Sequence, residues 1–226
     1  MDQPFDRIAP RYDFTNDLMS AGFHRLWKRR LLKKFAQNHS LDHSLNQGLH
    51  LLDVATGTGE LANRLGRKFS NLKITGIDPS LPMMEVGQRA GRKLDKWVVG
   101  SSESLPFPAE HFDVLTCAYG VRNFQDRPRA FKEWARVLKP GGRAYVLEIH
   151  KPTQKNVARL WSFLMPKVAG LFNDQSDYVY LAKSTENFPS ARQMGDEIVL
   201  AGFRLDSLDS LWISEMLSLS VYERKA

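Results

Sequence analysis

Between residues 49 and 150, short apolar runs alternate with segments of helical periodicity, and this alternation constrains the fold more than any other feature. The runs are typical of buried strands: LHLLDVA (49–55), LKITGID (72–78), KWVVG (96–100), FDVLTCAYG (112–120) and GRAYVLEIH (142–150). Helical patterns such as ELANRLGRKF and PRAFKEWARVL lie between them, which implies right-handed crossovers and a largely parallel sheet covered on both faces. Two further runs, FRLDSLDSL and WISEMLSLSVYERK, follow each other closely. We therefore predict a doubly wound α/β fold with a mostly parallel seven-stranded sheet and a C-terminal antiparallel hairpin at its edge.

The overall composition of the chain is that of one ordinary globular domain. The chain has 226 residues, 42% of them apolar and 25% charged, and no apolar run is long enough to span a membrane. The first residues, MDQPFDRIAPRYD, lack the apolar core of a secretion signal. The single cysteine, Cys117, can form no internal disulfide and cannot build a cysteine zinc site, which fits a reducing compartment. We expect a single cytoplasmic domain over residues 1–226.

A basic segment near the N-terminus carries much of the net charge of +7. Trp27, Leu31 and Phe35 recur at intervals of four residues there, which predicts an amphipathic helix. The apolar stripe could dock on the domain itself, or the helix could contact acidic lipid headgroups, and the sequence leaves both open. The six cations of residues 24–34 are Arg25, Lys28, Arg29, Arg30, Lys33 and Lys34.

The turn after the first strand and the end of the second strand are the candidate ligand site, because ligands of such sheets bind at the carboxyl ends of the strands. The turn contains Gly57 and Gly59, which allow a ligand to approach the backbone closely but could also serve the turn alone. Asp78 ends the second strand and could accept hydrogen bonds from both hydroxyls of a ribose, or cap a helix. Neither the dinucleotide pattern G-x-G-x-x-G nor a P-loop is present. A nucleoside without pyrophosphate fits best, and S-adenosylmethionine is such a ligand.

Longer segments spread over most of the chain carry a more specific pattern. They are FDRIAPRYDFTNDLMSAGFHRLWK (5–28), LDVATGTGELA, SESLPFPAEHFD (102–113), AYGVRNF (118–124), RVLKPGG (136–142), LEIHKP (147–152) and DYVYLAKSTENFP (177–189). Together they resemble the ubiquinone/menaquinone biosynthesis C-methyltransferase family (UbiE/MenG). The chain departs from the family at Ala118, where Ser is common, at His150, which replaces Ser, at Lys183, and in its C-terminal strand.

The resemblance implies the class I S-adenosylmethionine-dependent methyltransferase fold and a set of cofactor residues. Ser101 and Ser102 stand where the family has an Asn-Ala or Asp-Ala pair beside the adenine. Met83 would either pack on the adenine or belong to the core. The implied cofactor-binding residues are Gly57, Thr58 and Gly59 along the methionine and ribose, Asp78 at the ribose, and Ser101 and Ser102 at the adenine edge.

The implied reaction is methyl transfer to a ring carbon of a polyprenylated quinol, most simply demethylmenaquinol, with S-adenosylhomocysteine as the other product. The ring becomes nucleophilic when a quinol hydroxyl loses its proton. Arg122 and Asn123 are the implied catalytic pair, the first stabilising the phenolate and the second orienting a water or the hydroxyl. His24 and His150 are general-base candidates by residue type alone. We expect no metal, because His, Asp and Glu do not cluster with ligand spacing.

The resemblance also implies how the domain is divided and which partners it meets. The divisions are an N-terminal helical cap (1–40), a cofactor-binding core (49–150), a helical lid or substrate segment (151–200) and the C-terminal hairpin (201–226). A lipophilic quinol and the basic helix together suggest transient contact with an anionic membrane surface, whereas no nucleic-acid partner is expected and a homodimer is left open. Two alternatives are a methyltransferase of the same fold acting on another small molecule or RNA, and a cofactor binder without catalysis.

Overall fold

The computed structural model describes residues 22–40, 48–151, 188–211 and 215–226, together with the isolated positions 9 and 154. Within these residues, one sheet of seven strands forms the centre of the domain. The strands are β1 (His50–Val54), β2 (Lys73–Asp78), β3 (Lys96–Val99), β4 (Phe112–Ala118), β5 (Leu138–Ile149), β6 (Phe203–Ser210) and β7 (Leu217–Arg224). They lie side by side in the order β3-β2-β1-β4-β5-β7-β6. The first five are parallel to one another, and β7 is antiparallel to both β5 and β6.

Helices lie between several pairs of successive strands, and three of them begin at a side chain that caps them. Ser80 accepts a hydrogen bond from the Met83 N–H, Asp126 accepts one from the Arg129 N–H, and Ser190 forms a capping box with Gln193. The described helices are α1 (Phe23–Ser40), α2 (Glu60–Lys68), α3 (Leu81–Arg89), α4 (Arg127–Val137) and α5 (Ala191–Leu200), and a 3₁₀ turn spans Val121–Asn123.

The predicted doubly wound sheet and its C-terminal hairpin are confirmed, with two refinements. The last strand, β7, does not form the edge but lies between β5 and β6, so that β6 is the edge strand. Strand β5 also begins four residues earlier than predicted. Its pairing with β4 jumps from Phe112–Leu138 to Val114–Arg143, so residues 139–142 bulge out of the ladder. Pro140 lies in this bulge, where its missing N–H costs no ladder hydrogen bond.

Two hydrophobic clusters cover the two faces of the sheet, because successive strand residues point to opposite sides. Leu52 of β1 belongs to the cluster that contains α4 and α5, whereas its neighbour Leu51 belongs to the cluster that contains α1 and α2. Trp27, Leu31 and Phe35 are all buried in the second cluster. The apolar stripe of the basic helix therefore packs on its own domain.

Part of the predicted organisation falls outside the described residues. This applies to residues 5–21 of the N-terminal family signature apart from position 9, to the apolar segment 157–172 and to residues 177–187 of the late helical segment. The division of the domain into cap, core, lid and hairpin thus stays a prediction. Among the helices that the structure does describe, none combines the length and the apolar character needed to cross a bilayer.

Candidate functional site

The turn after β1 approaches its neighbours so closely that Gly59 is obligatory there. Gly59 has a φ of +72°, and a Cβ atom on it would lie 2.4 Å from Cη2 of Trp97. The Gly59 N–H donates to the carbonyl of Thr56, and the Thr56 N–H donates to the carbonyl of Ile77 at the end of β2. The turn is thereby tied to β2 and leads directly into α2 at Glu60.

Asp78 holds this turn at the end of β2. One carboxylate oxygen accepts the Gly57 N–H at 2.8 Å, and the other accepts the Ser80 N–H at 2.9 Å. Ser80, and not Asp78, is the cap of α3, so the alternative role of Asp78 as a helix cap is wrong. Asp78 also borders the cavity described next, and a carboxylate is a suitable acceptor for the hydroxyls of a ribose.

A cavity of about 340 Å³ opens beside Asp78, between the carboxyl ends of β2, β1 and β4. Ser101, Ser102 and Met83 line it on one side. Ser102 is buried and accepts a hydrogen bond from the indole N–H of Trp134 at 2.8 Å, which fixes its hydroxyl group. The hydroxyl of Ser101 donates to the carboxylate of Glu103. These two serines, predicted at the adenine edge, thus reach the same cavity as Asp78.

The opposite wall of the cavity comes from the segment after β4, where Tyr119 has a φ of +62° and the 3₁₀ turn follows. Asn123 lines the cavity, and its side-chain amide donates to the carbonyl of Tyr119 at 3.4 Å. One face of the cavity therefore carries the predicted cofactor residues, and the other carries one of the two predicted catalytic residues.

Arg122, the other predicted catalytic residue, pairs with a buried carboxylate of β5. Its Nη1 donates to the carboxylate of Glu148 at 2.7 Å and to the carbonyl of Tyr119 at 2.9 Å, and its backbone N–H also donates to Glu148. Glu148 is fully buried in β5, and a buried carboxylate requires a cation or several donors nearby. Arg122 does not line the 340 Å³ cavity. The guanidinium of Arg122 thus faces Glu148 in this structure, and its predicted action on the methyl acceptor stays a prediction.

The two histidines considered as general bases are also buried. His150 hydrogen-bonds through Nε2 with the Ser218 hydroxyl at 2.8 Å and through Nδ1 with the Pro189 carbonyl at 3.0 Å. Burial lowers the pKa of His150 from its ordinary value. His24 lies in α1, where it is also buried. Neither histidine lines the 340 Å³ cavity.

A second, smaller cavity of about 30 Å³ adjoins the first and contains charged groups that the sequence analysis assigned no role at the site. Lys28 of α1 forms an ion pair with Glu60, the first residue of α2, and lies 6.0 Å from the centroid of the Tyr119 ring. Burial alone would raise the pKa of Glu60, but Lys28 and, more weakly, Arg64 together outweigh burial and lower it to about 2. Thr58, predicted to contact the cofactor, lines this cavity too.

Asp53, at the floor of the smaller cavity, is the other charged group without a predicted role. Its carboxylate accepts hydrogen bonds from the hydroxyls of Thr56 at 2.7 Å and Thr116 at 2.6 Å. Burial raises the pKa of Asp53 to about 6 although both hydroxyls oppose the shift. In the described parts of the chain, no three His, Cys, Asp or Glu side chains are grouped so as to hold a metal ion.

The site fits S-adenosylmethionine. The carboxylate of Asp78 and the hydroxyl of Ser102 lie in the larger cavity, where they suit a ribose and an adenine. Lys28 and Glu60 carry opposite charges and lie in the adjoining smaller cavity, where they suit a zwitterion. A S-adenosylmethionine-dependent methyltransferase from Aquifex aeolicus has a similar fold, with a TM-score of 0.56 and 17% sequence identity over 79% of this chain and 83% of that one. The likeness shows a shared fold, and fold and site together fit the class of S-adenosylmethionine-dependent methyltransferases.

Sequence comparison narrows the class to one family. Residues 1–212 match the model of the ubiE/COQ5 methyltransferase family. A relative from Geotalea daltonii named ubiquinone/menaquinone biosynthesis C-methyltransferase UbiE is 40% identical, over 88% of this chain and 86% of its own length. A relative from Thermotoga maritima named demethylmenaquinone methyltransferase is 37% identical, over 93% of this chain and 90% of its own length. The chain belongs to the ubiE/COQ5 methyltransferase family.

Proposed function

We propose that this protein transfers the methyl group of S-adenosylmethionine to a ring carbon of a polyprenylated quinol, most simply demethylmenaquinol, in quinone biosynthesis. The names of the relatives from Geotalea daltonii and Thermotoga maritima support this substrate class. The structural observation that carries the proposal is that Asn123 faces the same cavity as Asp78 and Ser101. A flat ring held at Asn123 lies across the cavity from the proposed cofactor residues.

The chemistry asks mainly for alignment in a site sheltered from water. When bound, the cofactor supplies an electrophilic methyl group, whose bond to sulfur breaks as the bond to the ring carbon forms, and the ring then loses a proton. We propose that Asn123 orients the quinol hydroxyl or a water that takes its proton. Arg122 stays part of the proposal as a positioning residue, because it bonds the Tyr119 carbonyl, to which Asn123 is also bonded.

Methyl transfer to a reduced acceptor tests the function directly. We expect the purified protein, given methyl-labelled S-adenosylmethionine and demethylmenaquinol, to produce labelled menaquinol, and to leave the oxidised quinone unmethylated because that ring is electron-poor. Asn123→Ala should lower kcat and leave cofactor affinity within a few fold. A protein that binds the cofactor but methylates neither demethylmenaquinol nor a benzoquinol precursor would contradict the proposal. Label in RNA or in another small molecule would favour the alternative substrates.

We further propose that the protein is cytoplasmic and binds transiently to anionic membranes through the outer face of α1. Two of the six cations of this helix point elsewhere, since Lys28 pairs with Glu60 and Lys34 with Asp209. The outer face carries two exposed apolar side chains, and the other four cations are exposed as well: Phe23, Leu26, Arg25, Arg29, Arg30 and Lys33. Apolar groups that can enter the headgroup region beside cations are typical of interfacial helices.

Each exposed cation contributes at most about 1 kcal/mol near an anionic surface, over a Debye length of roughly 8 Å. Binding should therefore be reversible, favour acidic vesicles and weaken as salt is raised. Arg29→Gln/Arg30→Gln/Lys33→Gln should reduce flotation with anionic vesicles and leave cofactor affinity unchanged. Equal, salt-insensitive flotation with neutral and anionic vesicles would contradict this proposal. The homodimer and the lack of a nucleic-acid partner stay predictions, which sedimentation and RNA filter binding can test.

A further inference from the structure

Lys28 sits where the amino-acid end of the cofactor must lie if its nucleoside end is held as proposed. The larger cavity carries Asp78 and the two serines, so ribose and adenine occupy that end. The smaller cavity, with Lys28, adjoins it across four shared residues: Ala55, Gly57, Ala118 and Tyr119. A ligand that extends from the ribose over the turn after β1 therefore reaches Lys28.

The Lys28 side chain is more buried than is usual for a lysine. Only 9% of it is exposed, and it contacts the start of α2 through Glu60, which lies 32 positions away in the chain. An ammonium group carries three N–H donors, so Lys28 can hold Glu60 and a second carboxylate at the same time. The carboxylates of Glu60 and Asp53 border the same small cavity and match the positive ammonium of an amino acid.

We propose that Lys28 binds the carboxylate of the methionine end of S-adenosylmethionine, and that Glu60 positions Lys28 for it. This inference rests on the proposed function insofar as it takes S-adenosylmethionine to be the methyl donor. It assigns the inner face of α1 to cofactor binding. Because Lys28 comes from a helix outside the strand-and-turn core, α1 closes the cofactor site at the end opposite the adenine.

A ligand series separates a contact to the carboxylate from a general effect on folding. The probes are S-adenosylhomocysteine, decarboxylated S-adenosylhomocysteine, which lacks only the carboxylate, and methylthioadenosine, which lacks the whole amino-acid end. Calorimetry on the full chain should show that Lys28→Met weakens S-adenosylhomocysteine binding by about 10- to 100-fold, the scale of one lost charged hydrogen bond. Binding of the other two probes should change by less than about threefold. Lys28→Arg, which keeps the cation, should retain most of the affinity.

Lys34→Met is the matched control, because Lys34 lies on the same helix and also forms an ion pair, with Asp209. It should leave the binding of all three probes unchanged. The inference is overturned if Lys28→Met binds S-adenosylhomocysteine as the parent protein does, or if it loses all three probes equally, since that result indicates a structural role alone.

Two further results keep the inference testable if Lys28→Met fails to fold. The parent protein must then prefer S-adenosylhomocysteine over the decarboxylated probe by at least about tenfold, and Lys28→Arg must keep that preference. Equal affinity of the parent for both ligands overturns the inference. A parent that binds S-adenosylhomocysteine with this preference but methylates no quinol would instead contradict the proposed substrate and leave the role of Lys28 supported.

Discussion

The ion pair between Arg122 and Glu148 gives the most quantitative prediction. Glu148 has no exposed surface. Within the described residues, three donors reach its carboxylate: the guanidinium of Arg122 at 2.7 Å, the backbone N–H of Arg122 at 3.3 Å and that of Ile149 at 2.8 Å. Arg122→Met removes the cation and leaves the charge buried. Breaking a buried pair in this way costs about 3–5 kcal/mol. That loss is a large part of the roughly 5–15 kcal/mol that stabilises a typical domain.

Urea unfolding measures this loss in the free energy of unfolding, provided that the parent and the variants have the same m-value. Arg122→Met/Glu148→Gln should be at least about 2 kcal/mol more stable than Arg122→Met, because no charge is then left buried. Arg127→Met is the control, since Arg127 pairs with Glu197 where both side chains remain more than a quarter exposed. A pair this accessible should contribute less than about 1 kcal/mol. A loss below 1 kcal/mol for Arg122→Met, or a double variant no more stable than the single one, would refute the reasoning.

Turnover then separates a positioning role for Arg122 from direct action on the acceptor. If Arg122 acts by holding the turn that carries Asn123, Glu148→Gln should lower kcat as well, because it weakens the same bond. We expect about a 10²-fold loss in Arg122→Met, the size that follows from a misplacement of about 1 Å. Cofactor affinity should stay within a few fold. Normal turnover in Glu148→Gln beside a large loss in Arg122→Met would instead mean that the cation acts on the acceptor itself.

Three other substitutions test the cofactor side. Asp78→Ala should weaken S-adenosylmethionine binding by about 1.5–3 kcal/mol in calorimetry, whereas Asp95→Ala, which removes a carboxylate bonded to the Ile74 N–H, should not. Gly87→Ala should destabilise the protein by about 1–3 kcal/mol in thermal unfolding and weaken cofactor binding, since its Cβ would lie 2.1 Å from the Thr58 carbonyl oxygen. Asp53→Asn tests the raised pKa of Asp53, which is about 6 in the folded protein and near 3.8 in the unfolded chain. Because the folded protein holds this proton more tightly, the free energy of unfolding of the parent should fall by up to about 3 kcal/mol relative to that of the variant as pH rises from about 4 to about 6. A difference between parent and Asp53→Asn that does not vary with pH would contradict this.

The fold and several residues that line the larger cavity could be predicted because their signals are local in sequence. The strand-to-helix turn at Gly57 and Gly59 and the acidic end of β2 at Asp78 each lie within a few residues of a recognisable apolar run. The parallel order then brings the carboxyl ends of the strands to one edge. The family motif added Ser101, Ser102 and Asn123, and the structure brings all three to the same cavity.

The charged pairs could not be predicted, because each joins residues far apart in the chain. Glu148 lies 26 positions after Arg122, and Glu60 lies 32 positions after Lys28. In the sequence Lys28 is one of six similar cations, and only the packing of α1 shows that it faces inward. The side chain of Arg122 turns towards β5, because the buried carboxylate of Glu148 requires a cation or several donors nearby.

The two faces of α1 yield the last prediction, because one helix borders both the proposed membrane surface and the proposed cofactor carboxylate site. Arg29, Arg30 and Lys33 are exposed on one face, while Lys28 is buried on the other. If the outer face serves only to bring the protein to a lipid-soluble acceptor, replacing Arg29, Arg30 and Lys33 by Gln should raise the apparent KM for long-tailed quinol in anionic vesicles by about tenfold, equivalent to about 1.4 kcal/mol. It should change neither kcat nor the KM for a water-soluble, short-tailed quinol. Equal effects on both acceptors would mean that the substitutions act through the cofactor site. No effect on either acceptor would mean that the basic face is only a solvated surface without a role in membrane binding.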